Sequence, residues 1–122
     1  MKVDFIETGN PDCPILRIYG DEIQDYNVLI QGLNKLITGE LVTIEITALN
    51  NFESGIRLYF TCSNTNRGVF LKSSNCFSCE LTCLSWIEIS EKITAIKNQS
   101  YSYNWLNETS DISLLISKNG RF

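Results

Sequence analysis

The chain has 122 residues, 43% of them hydrophobic and 20% charged, and a formal charge of −4. That is a single-domain length (residues 1–122) with enough apolar residues for one continuous core, which excludes a disordered chain. The acidic balance argues against a nucleic-acid binder, which needs a basic face, and favours a basic protein partner. There is no histidine, so Ser-His-Asp triads, Cys-His dyads and His-ligated metals are all excluded.

At the start, Val3 and Phe5 alternate with Lys2 and Asp4, which predicts a strand over about 2–7. The acids there break the apolar run a signal peptide needs, and no stretch reaches the roughly 18 apolar residues of a membrane span. The expectation is a cytoplasmic protein with reduced thiols and no membrane partner. Gly9-Asn10-Pro11-Asp12 reads as a turn, and Ile15, Leu16, Ile18 and Tyr19 as a second strand hairpinned to the first. Asp21-Glu22-Ile23-Gln24 has the form of a capping arrangement. Ile23, Tyr26, Ile30, Leu33 and Ile37 follow at helical spacing. A helix is predicted over about 22–38, stopped by Gly39.

Four alternating stretches come next: Val42, Ile44, Ile46; Ile56, Leu58, Phe60, Cys62; Val69, Leu71; and Phe77, Cys79, Leu81. Asn- and Ser-rich turns separate them, and such short connections predict an antiparallel meander. Ser85-Trp86-Ile87-Glu88 reads as the capping box of a second helix, with Leu84 and Ile89 as its staple, Ile89, Ile93 and Ile96 as its buried stripe, and an end near Asn98. Tyr101, Tyr103 and Trp105, then Asp111 to Ile116, predict a final strand pair, and Lys118-Asn119-Gly120 a closing turn. No internal repeat is visible. The predicted fold is α+β, a mainly antiparallel sheet in the order ββαββββαββ with two helices packed on it.

Cys76, Cys79 and Cys83 are spaced closely enough to suggest zinc, with Cys13 or Cys62 completing the ligands. Cys79 falls within the alternation of Phe77 and Leu81, however, so the thiols read as core residues and no metal is expected. The seven glycines are isolated and build no phosphate cradle. Acids at the helix starts, including Glu88 and Glu91 on the second, suit the helix dipole without any catalytic role. Tyr101, Tyr103 and Trp105 lack the neighbouring Arg and Lys of a base-stacking platform. No catalytic residue and no cofactor are expected.

Two surfaces remain as partner-binding candidates. One is the acidic start of the first helix, Asp21, Glu22 and Asp25, expected to be exposed. The other is the outer face of the meander: if Val42, Ile44 and Ile46 point inward, Thr43, Glu45, Arg57, Tyr59, Lys72 and Glu80 lie outside with Phe70.

In its Ile-, Asn- and Lys-rich, small and acidic character the chain resembles the bacterial immunity proteins of contact-dependent inhibition and other polymorphic toxin systems. The segments Asn104-Trp105-Leu106-Asn107-Glu108 and Ile112-Ser113-Leu114-Leu115-Ile116 look like the tails of such proteins. The resemblance implies a non-enzymatic protein that blocks a cognate toxin domain, often a basic nuclease, inside the producing cell. The competing reading is a bacterial α+β adaptor or regulatory domain, either monomeric or homodimeric.

Overall fold

The computed structural model describes residues 1–10, 13–98, 103–108 and 111–118, without the side chains of residues 8–10 and 13. The expected turns at Gly9-Asn10-Pro11-Asp12 and Lys118-Asn119-Gly120 fall partly, and Tyr101 wholly, outside these. Among the described residues the elements run β1 (Lys2–Asn10), β2 (Cys13–Tyr19), α1 (Ile23–Ile37), β3 (Thr43–Glu45), β4 (Arg57–Cys62), β5 (Gly68–Ser73), β6 (Cys76–Leu81), α2 (Cys83–Asn98), β7 (Tyr103–Asn107) and β8 (Ser113–Ser117). The class is α+β, mainly antiparallel, with the elements in the expected order.

The strands divide between two four-stranded sheets, β1-β2-β8-β7 and β3-β4-β6-β5. A meander would allow only antiparallel neighbours, yet β2 runs parallel to β8 and β4 parallel to β6. The reason is where β5 sits. It hairpins onto the far side of β6, so the β4–β6 connection is a crossover made of a strand.

Both sheets arise from an internal repeat that is invisible in the sequence. Exchanging β1–β4 and α1 for β5–β8 and α2 maps the first sheet onto the second. The inner-face register follows. One row of the first sheet reads Val3, Ile18, Ile116, Asn104, and its counterpart in the second reads Val69, Cys79, Phe60, Ile44. Phe5, Leu16 and Leu114 match Leu71, Phe77 and Leu58 in the same way.

The helices complete the correspondence. Tyr26, Leu29, Leu33 and Leu36 are buried on α1, and Trp86, Ile89, Ile93 and Ile96, each sixty residues on, are buried on α2. The observed stripe of α1 is thus turned from the expected one: Ile23 is 58% exposed, and Ile30 and Ile37 only flank the core. Both helices and the inner faces of both sheets share a single apolar cluster, in which Phe5 of β1 meets Phe77 of β6 at 4.9 Å.

Each helix is pinned by the polar tip of its buried aromatic. The Tyr26 hydroxyl donates to the carbonyl of Gly20 at 2.7 Å and approaches that of Ser117 at 3.4 Å. Trp86 Nε1 donates to the Thr61 carbonyl at 2.9 Å. Ser117 and Thr61 occupy equivalent places in the repeat, opposite Tyr19 and Glu80 respectively. Burial first, then Asp21 and Asp25, push the Tyr26 phenol up, so it remains a donor at neutral pH.

The helix starts differ from expectation. Glu22, with no side-chain cap bond, precedes α1, so the Asp21 capping arrangement is not formed. Thr82 caps α2, its Oγ1 accepting the Ser85 N–H at 3.3 Å. The helix therefore begins before Ser85, and Leu84, 67% exposed, makes no staple. At the far end of α1, Gly39 adopts φ +80°, the left-handed stop that favours glycine. Strand β3 is only Thr43–Glu45, because Ile46–Ala48 winds into a 3₁₀ turn and Val42 is exposed.

Thr82→Ala should lower the unfolding free energy by about 0.5–2 kcal/mol through loss of the α2 cap. Leu84→Ala should stay within about 0.5 kcal/mol of the parent, as surface changes do. Urea denaturation of the three proteins checks both, and an unchanged Thr82→Ala variant would place the helix start elsewhere.

Candidate functional site

The outer faces of the two sheets do not repeat one another. On the first, Arg17 clamps Asp4 through Nε at 3.0 Å and a terminal nitrogen at 2.6 Å, and its guanidinium lies 4.6 Å from the Tyr19 ring centre. The bond to Asp4 holds the Arg17 pKa up. Beside this pair, Ile15 and Leu115 are fully buried.

The second sheet carries a different set. Registered rows place Glu45, Tyr59, Ser78 and Phe70 side by side, then Thr43, Thr61, Glu80 and Gly68, with Arg57 opposite Cys76. Glu45, Arg57, Tyr59 and Glu80, four of the residues picked out by alternation, therefore share one face. The Arg57 guanidinium donates to Glu45 at 3.1 Å and to the Tyr59 hydroxyl. Two cations flank the Tyr59 ring, Arg57 at 5.3 Å and Lys72 at 5.1 Å from its centre. Arg67 sits 3.5 Å above the Phe70 ring. Each contact is a cation against an aromatic quadrupole, and a pleated strand holds the stacks in fixed positions.

This face is not an acidic patch. Arg57, Arg67 and Lys72 face Glu45 and Glu80, so its sign is mixed. It offers arginine and aromatic area, the composition that dominates binding energy at protein interfaces. The signal for Arg67 was missed because it lies outside the strand alternation, one residue before β5 begins to pair with β6.

The acidic start of α1 comes apart in the structure. Asp21 and Glu22 are exposed, but Asp25 is only 7% exposed and lies 3.7 Å from the Met1 amine. That amine also donates to the Asn51 carbonyl. The expectation that Asp25 is exposed is overturned: its carboxylate is turned inward and faces the Met1 amine. Gly20 makes room for it, since a Cβ there would lie 2.9 Å from Asp25 Oδ2.

The pleat separates Cys76 from Cys79, whereas Cys62 and Cys83 lie side by side, and burial, then Cys83, push the Cys62 thiol up. Cys79 is fully buried on the inner face, and burial pushes its thiol up. Cys76 is on the outer face opposite Arg57. Cys83 opens α2 and points its thiol at the Ile37 carbonyl, 3.4 Å away. Among the described residues no group of three or more cysteine or acidic side chains could hold a metal ion. No helix among them is long and apolar enough to cross a membrane.

The Tyr59 phenol is held above its ordinary pKa, first by its hydrogen bond to the Glu45 carboxylate and then by burial. A phenol raised in the folded state contributes stability that is intact below its unfolded value of about 10 and lost as the pH rises through the folded value. In an NMR titration Tyr59 should therefore deprotonate above about pH 10, and Glu45→Gln should bring the midpoint down. An unmoved midpoint would show that the Glu45 bond does not form in solution.

No family model, curated protein or solved structure matches the chain, so its functional reading rests on the geometry of these surfaces.

Proposed function

We propose that the protein is a non-enzymatic binding protein, an immunity protein that neutralises a cognate bacterial toxin domain through the outer face of its second sheet. The observation that carries this reading is the linked set Glu45, Arg57, Tyr59 and Lys72, with Arg67 stacked on Phe70 beside it. These side chains are already held in place, so binding costs little further ordering of rotamers. The net charge of −4 draws in a basic toxin from a distance, while the aromatic and arginine stacks supply the contact. The small, acidic character that resembles immunity proteins supports the same reading. So does an inhibitor's need for a rigid surface rather than a reactive centre.

The test is co-expression with the toxic domain encoded beside this gene. Wild type should restore growth and form a one-to-one complex. Tyr59→Ala and Arg57→Ala should each weaken it by roughly thirtyfold or more, the loss typical of an interface hot spot. A neighbouring product that is harmless when expressed alone would overturn the immunity role. Full rescue by both alanine variants would overturn the choice of face.

A further inference from the structure

The internal repeat provides a control within one molecule: a residue type that the fold requires recurs in both halves, and one that does not recur needs another reason. Leu58 and Phe60 of β4 match Leu114 and Ile116 of β8, so Cys62 stands where the other half has Lys118. Cys83 opens α2 sixty residues on from Ile23, the exposed first residue of α1. Neither place calls for a thiol. The second half nevertheless carries one at each, and the two meet.

Their meeting follows from the topology. Cys62 ends β4 in line with the inward Leu58 and Phe60 and packs against the core. Its partner in the parallel register is Leu81, the last residue of β6, and Cys83 follows two residues later. The Ser63 N–H donates to the Leu81 carbonyl at 2.8 Å, and Trp86 Nε1 donates to the Thr61 carbonyl at 2.9 Å. Bonds on both sides of Cys62 thus fix the end of β4 against the start of α2. There the Cys62 and Cys83 thiols share a hydrogen bond. Cys83 also donates to the carbonyl of Ile37, the last residue of α1, at 3.4 Å. Both thiols are partly exposed, whereas Cys76 and Cys79 are buried.

We propose that Cys62 and Cys83 form a reversible dithiol–disulfide pair, a modification site whose co-substrate is a small-molecule disulfide such as oxidised glutathione. The Cys83 thiolate attacks one sulfur of that disulfide and expels the other as a thiolate. The Cys62 thiolate then attacks Cys83 Sγ of the mixed disulfide and expels the second. The two protons and two electrons lost by the protein are gained by the small disulfide, which leaves as two thiols. Burial holds the proton on Cys62, which makes Cys83 the first to attack, since the thiolate is the nucleophile. Closure also exchanges one tie for another. With no S–H left, Cys83 releases the Ile37 carbonyl of α1 as the covalent link between β4 and α2 forms. The inference does not depend on the proposed function.

The test is to treat the folded, reduced full chain with excess oxidised glutathione, quench with acid, alkylate and map the peptides. One Cys62–Cys83 disulfide is expected, leaving the chain lighter by two hydrogen atoms and reversed by reduced glutathione. Closure should be roughly tenfold or more faster in the folded chain than in urea, where the two sulfurs are no longer held together. Cys62→Ser should stop at a glutathione adduct on Cys83. In the ¹⁵N spectrum of the oxidised wild type, the Thr38 amide, bonded to the Ile37 carbonyl carbon, should shift. Glutathione adducts without an internal link, a link made by another cysteine, or closure no faster in the folded chain than in urea would each overturn the pair. The wild-type map decides this even if the serine variant fails to fold, which its own spectrum reports.

Discussion

Two buried aromatic side chains with one polar atom each hold this structure together. A Tyr or Trp buried without a partner for its O–H or N–H loses about 1–3 kcal/mol, so each must find an acceptor inside the fold. Trp86 finds its acceptor in the other half of the repeat, at Thr61, whereas Tyr26 donates to Gly20 just after β2 of its own half and lies 3.4 Å from the Ser117 carbonyl of β8. Trp86 thus ties α2 to β4, and Tyr26 holds α1 at the end of the paired strands β2 and β8. With the helices fixed, the rows Leu29, Leu33, Leu36 and Ile89, Ile93, Ile96 can face a single core. The sheets must then take one hairpin from each half, and their central pairs come out parallel.

The elements themselves were legible in the sequence, because alternation and helical spacing are local signals. Helix α1 was expected at 22–38 and spans Ile23–Ile37. Which face of α1 is buried was less legible: Ile23 and Ile37 are apolar enough to read as core, and only the placement of Tyr26 turns the helix toward Leu29 and Leu36. The repeat was hidden for a geometric reason. Val3 and Val69 are 66 apart, the helix pairs 60 and Leu58 and Leu114 56, since the connecting segments differ in length. No fixed period aligns the halves, and what recurs is size and burial rather than identity, as with Ile18 and Cys79.

The candidate surface was half legible. Alternation placed Glu45, Arg57, Tyr59 and Glu80 together, because a strand puts every second residue on one face. It could not reveal that Asp25 turns inward to the Met1 amine, a contact between a helix and the start of β1. Nor could it pair Arg67 with Phe70, which depends on how the loop before β5 bends. The two outer faces show what a repeated fold leaves free. Inner positions are constrained in both halves by one shared core, whereas outer positions are not. The same registered row therefore reads Asp4, Arg17, Leu115, Trp105 on one sheet and Phe70, Ser78, Tyr59, Glu45 on the other.

The parallel pairing of β2 with β8 also dictates an order of assembly. As the chain leaves the ribosome, the second sheet has all four of its strands once Leu81 has emerged, and Trp86 can lock onto β4 soon afterwards. The β1–β2 hairpin is made first and completed last, since Leu16 and Ile18 have no sheet neighbour on their second side until Leu114 and Ile116 are synthesised. Pairings this distant in sequence are slow to form and leave an apolar strand edge open in the meantime. The nascent protein is thus most exposed to aggregation at its oldest hairpin, during synthesis of the chain between Tyr19 and Ser113.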